Sequence, residues 1–355
     1  MDHCSLYEFG TRTVGQEQHV IFHWDQEPIW SNSLGKYDQF SFNYNNPGQY
    51  LCVLANSEHS ELKQQVVKER NMADWYFFYH GFLALDWFRD AQYLGEIASP
   101  IKHYLSLNHI LQDQRAYRMA LTARLFENQL DKFGTISFHG QSTDCIDEIN
   151  KPQTRLSVYD KRLIERYLVS NDQLPLRVDD HQVNGLLSAH FGYHEYLLWQ
   201  QSLFHVVNET VFYEPKLHLT EKIFKPIVAG RPFLLVAAPG NLSYLRTYGF
   251  KTFSAWIDES YDNETDNDKR LDKITSILKD LCCLSQDDLQ QLYKDMQPVL
   301  QYNRNHFFSH FKELIVDEMI GNFDSCLALW NDRAPVDKKI KPHPDLSLAK
   351  SILTR

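Results

Sequence analysis

The chain has little of several features that would assign it to a class. No apolar run in its 355 residues approaches the roughly 20 residues that a membrane-spanning helix needs. The N-terminal segment MDHCSLYEFG carries acids and no apolar core, so we predict no signal peptide and expect a cytoplasmic protein. The six cysteines show no metal-ligand spacing, which favours reduced thiols over a zinc site or a disulfide framework.

Positive charge is also scarce. The chain has 36 Lys and Arg against 46 Asp and Glu, a net charge of -10, whereas a general nucleic-acid binder needs a basic surface. A local basic pocket is still allowed. Apolar residues are plentiful at 43%, with 14% aromatic, which is enough for one large or two medium domains. The aromatic surplus suits pockets that stack sugars or bases, and equally suits plain core packing.

Short apolar runs alternate with amphipathic segments, which predicts an α/β fold. We place a domain boundary between Ser99 and Leu107, giving an N-terminal acceptor-side domain, 1–104, and a C-terminal donor-binding domain, 105–330. A polar tail, 331–355, is expected to be loose or to pack back on the first domain. Four strands and one helix are predicted in the first domain: His19–Trp24, Gln39–Asn43, Tyr50–Ala55, Trp75–Tyr79 and the helix Ser60–Arg70.

The segment LHLTEKIFKPIVAGRPFLLVAAPG, residues 217–240, predicts a loop, a short helix and a buried strand at 233–237. Thr220 can cap the first turn of the helix. Glu221 could accept hydrogen bonds from a ribose diol, and Lys222 could neutralise a phosphate. The alternative is an ordinary helix-capping sequence on a solvated turn.

Two residues bear on the extent of this helix. Pro226 removes a backbone donor, so the helix is either bent or begins later than Thr220. Gly230 is a candidate for the residue that ends it.

This segment resembles the donor-binding segment of glycosyltransferases with two Rossmann-like domains, the GT-B fold, and in particular the α1,3-fucosyltransferase family. There, a strand ending near Glu-Asn-Ser precedes a Thr-Glu-Lys helix, and FHVVNET at 204–210 takes the place of that strand. The family's Glu holds the nucleotide ribose and its Lys the pyrophosphate, which implies those roles for Glu221 and Lys222. The likeness also places Asn208 and Glu209 in the donor site.

A second segment, residues 103–125, is similar to the opening of the same donor domain: a strand, an Asn-containing loop and an Arg-led helix. The resemblance places Asn108 in that loop and implies an Arg contact with the donor pyrophosphate. Arg118 fits the spacing best, and Arg115 is the near alternative. An Arg fork suits bidentate phosphate binding, whereas a single basic residue on a solvated face is the plain alternative.

The resemblance implies two Rossmann-like domains facing each other across a cleft. It implies an inverting sugar transfer that uses basic side chains, with no cofactor and no catalytic metal. The likeness slightly favours GDP as the donor nucleotide and leaves the sugar open. A set of acids and histidines matches no standard metal-site spacing and is interpreted as polar surface or core: Asp179, Asp180, His181, His190 and His194.

The base that accepts the acceptor's proton is expected in the first domain, after an apolar strand. Glu27 is the first choice and Asp25 the second, although both acids precede Pro28 and could merely open a helix. His80 and Asp86 follow another apolar strand and are candidates for acceptor binding.

The sequence leaves the acceptor open. A glycan ranks ahead of hydroxymethylated bases in phage DNA, because the net charge of -10 disfavours a DNA channel. A protein acceptor is also open. A non-catalytic module that binds nucleotides or sugars is the competing class.

Overall fold

The computed structural model describes residues 12–13, 19–24, 27–40, 50–93, 99–178, 198–333, 336 and 339. It is a mixed α/β protein with parallel strands in both of its sheets. Its described residues form two compact units, one within 1–82 and 310–355, the other within 83–309. No helix among the described residues is long and apolar enough to cross a membrane.

The described strands form two four-stranded sheets, ordered β1-β2-β3-β4 and β6-β5-β7-β8. Their bounds are β1 Arg12–Thr13, β2 His19–Trp24, β3 Tyr50–Asn56, β4 Ala73–Tyr76, β5 Lys102–Ser106, β6 Gly134–Ile136, β7 Ser202–Asn208 and β8 Phe233–Val236.

The described residues also form the following α-helices, given in chain order. They are α1 Glu61–Glu69, α2 Tyr79–Trp87, α3 Tyr117–Glu127, α4 Ser142–Asn150, α5 Val158–Ile164, α6 Phe224–Val228, α7 Asn241–Thr247, α8 Asn267–Cys282, α9 Gln286–Ser309 and α10 Phe311–Arg333. Shorter 3-10 or π segments are Ser31–Phe40, Arg89–Tyr93, Asp113–Arg115, Leu130–Lys132, Glu165–Val169, Glu221–Ile223 and Glu259–Asn263.

In the first unit, β2, β3 and β4 run parallel and β1 pairs antiparallel with β2. Alternate side chains of β3 enter different apolar clusters, as strand geometry requires. Cys52 and Leu54 pack with Val66 of α1, whereas Val53 packs with Cys326 and Trp330 of α10.

The last helix, α10, belongs to this unit and forms hydrogen bonds with β4. The Trp75 indole donates to the Met319 carbonyl at 3.0 Å, and the Asn322 amide donates to the Tyr76 carbonyl at 2.7 Å. Gly81 lies in α2 and allows this helix to pack closely against α10, since a Cβ at Gly81 would lie 2.9 Å from both Ile315 and Phe311. The divisions at 82/83 and 309/310 therefore differ from the boundary expected near Ser99 to Leu107.

In the second unit all four strands are parallel. The chain passes from β5 through α3 to β6 on one side, and from β7 to β8 on the other. The strand order therefore reverses between β5 and β7. In open parallel sheets, ligands bind beyond the carboxyl ends of the strands at such a reversal.

Most predicted elements agree with the structure. The strands His19–Trp24 and Tyr50–Ala55 are confirmed, and α1 lies within the predicted helix, with Ser60 accepting from the Lys63 backbone N–H at 3.0 Å. The predicted strand at Gln39–Asn43 is wrong over its described residues, because Gln39 and Phe40 end a 3-10 segment. Leu34, Tyr37 and Phe40 recur every three residues, which is the 3-10 period.

The strand predicted at Trp75–Tyr79 begins and ends earlier, at Ala73 and Tyr76. Tyr79 instead opens α2, so its side chain belongs to a helix face rather than to the sheet.

Candidate functional site

The reversal between β5 and β7 gathers polar side chains from two distant segments. The Asn208 amide donates to the Asn108 side-chain oxygen at 3.0 Å and to the Ser106 hydroxyl at 3.1 Å. The Asn108 backbone N–H donates to the Ser137 hydroxyl at 2.9 Å, which ties in the end of β6. All four residues are buried, so these bonds fix the strand ends relative to each other.

Asn208 also has an acceptor that the described residues do not use. Its side-chain oxygen is buried and receives no hydrogen bond from the described part of the chain. A buried amide oxygen without a donor costs free energy, and such groups call for a specific explanation.

Glu209 follows Asn208 and is fully buried. Its carboxylate accepts from the Thr220 hydroxyl at 2.6 Å, the Thr220 backbone N–H at 3.2 Å and the Thr210 backbone N–H at 3.3 Å. The carboxylate thereby holds the Thr220 turn against the end of β7. Glu209 is thus seen as a positioning residue, and its predicted contact with the donor stays a prediction.

Thr220, Glu221 and Lys222 lie together beside this carboxylate. The Thr220 hydroxyl accepts from the Lys222 backbone N–H at 3.4 Å, which confirms the predicted cap. The Lys222 ammonium lies 3.1 Å from the same hydroxyl and 3.3 Å from the Glu221 carboxylate. The Lys222 side chain is 35% exposed and that of Glu221 7%, so Lys222 is the more solvent-exposed member of this pair.

The helix at this turn begins as a 3-10 segment, Glu221–Ile223, and becomes α-helical at Phe224. Pro226 therefore lies in the first turn of α6, where a missing N–H breaks no intrahelical bond. The sequence left open whether the helix is bent or begins later than Thr220, and the later start is confirmed. Gly230 has a φ of 63°, as expected for the residue that ends the helix.

Arg118 is buried, and its guanidinium bonds to backbone. It donates to the carbonyls of Ile110 at 2.8 Å, Asn208 at 2.7 Å and Glu209 at 3.0 Å. This geometry makes Arg118 a clamp between the loop after β5 and the end of β7. Its predicted pyrophosphate contact stays a prediction, as does that of Arg115, which is half-buried in the 3-10 segment before α3.

Tyr117 also contacts the end of β7, although it was not among the residues predicted for the site. Its hydroxyl donates to the Glu209 carbonyl at 2.5 Å, and its ring stacks on Phe212 with centroids 4.3 Å apart. Burial raises the pKa of the Tyr117 hydroxyl, against the lowering effect of the Arg118 charge, so the hydroxyl is held as a neutral donor.

The first unit carries its own acidic edge at the ends of β2 and β3. Glu27 is exposed, and its carbonyl accepts from the Asn56 amide at 3.2 Å. Glu58 was not among the predicted residues, yet it is fully buried and accepts from the Ile29 backbone N–H at 2.7 Å and the Ser60 hydroxyl at 2.5 Å. Asp25 lies outside the described residues.

The two predicted acceptor-binding residues have ordinary surroundings. His80 is half-buried in α2, its ring 5.5 Å from that of Tyr79. Asp86 is exposed and forms an ion pair with Arg89 one turn on. Their roles at an acceptor stay predictions.

The structure thus brings together the predicted donor residues of the second unit at one strand edge: Asn108, Arg118, Asn208, Glu209, Thr220, Glu221 and Lys222. Ser106, Ser137 and Glu58 at the sheet edges were not among the residues predicted from the sequence. A signal was present, since each is a short polar or acidic residue within two positions of a strand's carboxyl end.

Comparison of the chain with protein-family models gave no match, and comparisons with curated proteins and with solved structures gave none either. The likeness to fucosyltransferases therefore rests on the residues themselves.

Proposed function

We propose that the chain is a glycosyltransferase that moves a sugar from a nucleotide-sugar donor to a glycan acceptor. The observation that carries the proposal is the convergence at the ends of β5 and β7. There the ammonium of the partly exposed Lys222 side chain and the Glu221 carboxylate lie beside strand ends fixed by buried hydrogen bonds. A cation next to an acceptor of hydroxyl hydrogen bonds suits a ligand with both phosphates and a ribose.

In this proposal, Lys222 binds the diphosphate and Glu221 accepts hydrogen bonds from the ribose hydroxyls. Glu209, Asn108 and Asn208 hold these groups in place, because a site that is already ordered loses less entropy when the donor binds. Arg118 acts as a positioning residue through the carbonyls that it binds.

The proposed reaction is an inverting transfer without a catalytic metal. Glu27, or Asp25 in its place, takes the proton of an acceptor hydroxyl. The acceptor oxygen attacks the anomeric carbon as the bond from that carbon to the diphosphate oxygen breaks. Lys222 stabilises the charge that develops on the leaving diphosphate. The proposal includes the GT-B arrangement, in which the two units face each other across a cleft.

A non-catalytic module that binds nucleotides is the second candidate. It is favoured by one observation: the Arg118 guanidinium is bonded to backbone carbonyls, so a cation that the resemblance assigned to the pyrophosphate is already engaged. Hydroxymethylated DNA remains the second candidate for the acceptor.

A donor panel tests the proposal. Sugars linked to GDP, UDP, CDP and dTDP are incubated with glycan acceptors, and release of the nucleoside diphosphate is measured. We expect turnover with at least one donor, a large loss of kcat in Lys222→Ala, and retention in the matched control Lys225→Ala. Binding without turnover would favour the module. Intact donors together with no affinity for any nucleoside diphosphate would overturn both.

The acceptor is tested separately by duplex DNA binding at increasing salt. A glycan enzyme shows no appreciable DNA affinity at physiological salt. Salt-sensitive binding, together with labelling of hydroxymethylated DNA, would replace the glycan by DNA.

A further inference from the structure

A groove of about 400 Å³ lies between α8 and α9 in the second unit, and none of the donor-site residues lines it. Its apolar lining consists of the buried Ile257, Ile277 and Leu281 and the half-buried Trp256, Leu284 and Leu292. Such a groove between two helices is the kind of surface that receives the apolar face of a third helix.

The lining residues follow helical spacing on both walls. On α8 they include Ile277, Asp280 and Leu281, and on α9 they include Asp288 and Asp295. Residues three, four and seven apart share one face of a helix. The α8 wall therefore combines two apolar side chains with one acid, whereas the α9 wall is mostly polar and has Leu292 as its apolar side chain.

Four carboxylates line this groove, those of Asp258, Asp280, Asp288 and Asp295. All four side chains are exposed, and none forms an ion pair with a cation in the described part of the chain.

The hydrogen bonds that these carboxylates do accept come from neutral donors. The Ser260 hydroxyl donates to Asp258 at 2.9 Å, the Ser285 hydroxyl to Asp288 at 2.6 Å and the Gln291 amide to Asp295 at 2.8 Å. None of the four carboxylates is therefore in a direct ion pair with a described residue. Hydrogen bonds from Ser260, together with the charge of Lys273 on α8, lower the pKa of Asp258. Lys279 and Lys294 also lie on these helices, and no Lys or Arg is among the described residues that line the groove.

The spacing of the acids selects an elongated partner. Asp288 and Asp295 are two helical turns apart on α9, which is about 10.5 Å along the axis at 1.5 Å per residue. One small cation cannot contact both, whereas a helix with basic residues at the same two-turn spacing can.

We propose that this groove docks a basic amphipathic helix of a partner protein. Its apolar side chains cover the half-buried Trp256, Leu284 and Leu292, and its Lys or Arg side chains meet the four carboxylates. The inference is independent of the proposed glycosyl transfer, because the groove contains none of the residues assigned to the donor or the base.

The probe is a synthetic helical peptide with leucines on one face and lysines flanking them, compared with an isomer of scrambled sequence. Binding to the full chain is measured by fluorescence anisotropy. The groove variant is Asp280→Asn with Asp288→Asn and Asp295→Asn. The matched control has the same net charge and carries Asp90→Asn, Asp147→Asn and Asp332→Asn at exposed positions elsewhere.

We expect the amphipathic peptide to bind at least about tenfold tighter than its isomer, and the groove variant to lose at least about tenfold in affinity while the control stays within about twofold. Hydrogen exchange should show protection of residues 277–295 on binding. Equal binding of both peptides, equal loss in both variants, or protection elsewhere would overturn the proposal. Leu292→Gln provides a second variant that leaves the charge unchanged and should also weaken binding.

Discussion

The carboxyl edges of the two sheets are both held by side-chain hydrogen bonds, but they carry different charged groups. In the second unit, the edge at β5 and β7 is tied by bonds between residues about 100 positions apart in sequence, such as Asn108 to Asn208. It presents the partly exposed cation of Lys222. In the first unit, the edge at β2 and β3 is tied by bonds spanning 29 positions, such as Ile29 to Glu58. This edge carries two carboxylates, of which Glu58 is buried and Glu27 is exposed.

In the proposed function, the edge at β5 and β7 binds an anion and the edge at β2 and β3 accepts a proton. A cation held beside fixed amides suits a diphosphate, whereas an exposed carboxylate suits a general base. In both edges a buried glutamate, Glu209 or Glu58, is used to hold backbone rather than to meet solvent. Four substitutions and one binding measurement would break or sharpen this comparison.

The largest expected effect is that of Arg118→Ala. Removing the guanidinium leaves the carbonyls of Ile110, Asn208 and Glu209 without their charged donor inside the protein. The free energy of unfolding should fall by about 3–5 kcal/mol, measured by urea denaturation. The control is Arg115→Ala, the near alternative in the sequence, which should cost less than about 1 kcal/mol. An equal loss of unfolding free energy in the two variants would show that Arg118 does not hold the end of β7 in place.

The second effect concerns acid stability. Burial, together with the charge of Arg231, lowers the pKa of His205 in β7 to about 3. The folded state therefore keeps His205 neutral, whereas the unfolded chain protonates it near its ordinary pKa of about 6.5. Its contribution to stability is present above pH 6.5 and is lost as the pH falls from there towards 3, amounting to about 2 kcal/mol between pH 7 and pH 5.

The variant His205→Gln should therefore lose that share of the pH dependence, measured as the change in unfolding free energy between pH 7 and pH 5. Comparison with the unchanged chain is needed because Asp160 acts in the opposite direction. Burial raises the pKa of Asp160 to about 6, so its contribution to stability grows as the pH falls from 6 towards 3.8. An unchanged pH profile in His205→Gln would contradict the assignment.

The third effect belongs to the first unit. Glu58→Gln keeps the size of the side chain but weakens the bonds to the Ile29 N–H and the Ser60 hydroxyl, which should cost about 1–2 kcal/mol in urea denaturation. The affinity for nucleoside diphosphates should stay unchanged, because the residues proposed to bind the donor lie in the other unit. A parallel loss of affinity would place the nucleotide at this edge instead.

The smallest effect on folding is expected for Lys222→Ala. Its side chain is 35% exposed, and its pair with Glu221 at 3.3 Å is a partly exposed ion pair. Such pairs contribute less than about 1 kcal/mol, so the unfolding midpoint in urea should barely move. A large loss of stability would make Lys222 a structural residue and would remove it from the donor site.

The sequence predicted the parts of this picture that depend on local pattern. The cap at Thr220, the end of the helix at Gly230 and the strand over 233–237 follow from neighbouring residues, and the structure confirms each within a residue. The role of Arg118 could not be predicted in this way. Whether its guanidinium faces a ligand or backbone carbonyls depends on where the end of β7 lies, about 90 positions further along the chain.

Two other errors of the sequence-based prediction are the omission of Glu58 and the strand predicted at Gln39–Asn43. Glu58 becomes a buried acceptor only because the backbone of Ile29 reaches it across the sheet edge. Gln39 and Phe40 fit a strand by composition, but the three-residue spacing of Leu34, Tyr37 and Phe40 matches the 3-10 turn that the structure contains.

Calorimetric titration with GDP, UDP, CDP and dTDP tests the central claim most directly, namely that the edge at β5 and β7 binds a nucleoside diphosphate. We expect one of them to bind the unchanged chain and Lys225→Ala alike. Glu221→Ala should lose on the order of 1.5–3 kcal/mol of binding free energy, with a comparable loss in Lys222→Ala. The account is contradicted if no diphosphate binds, or if Glu221→Ala and Lys222→Ala bind as tightly as the unchanged chain.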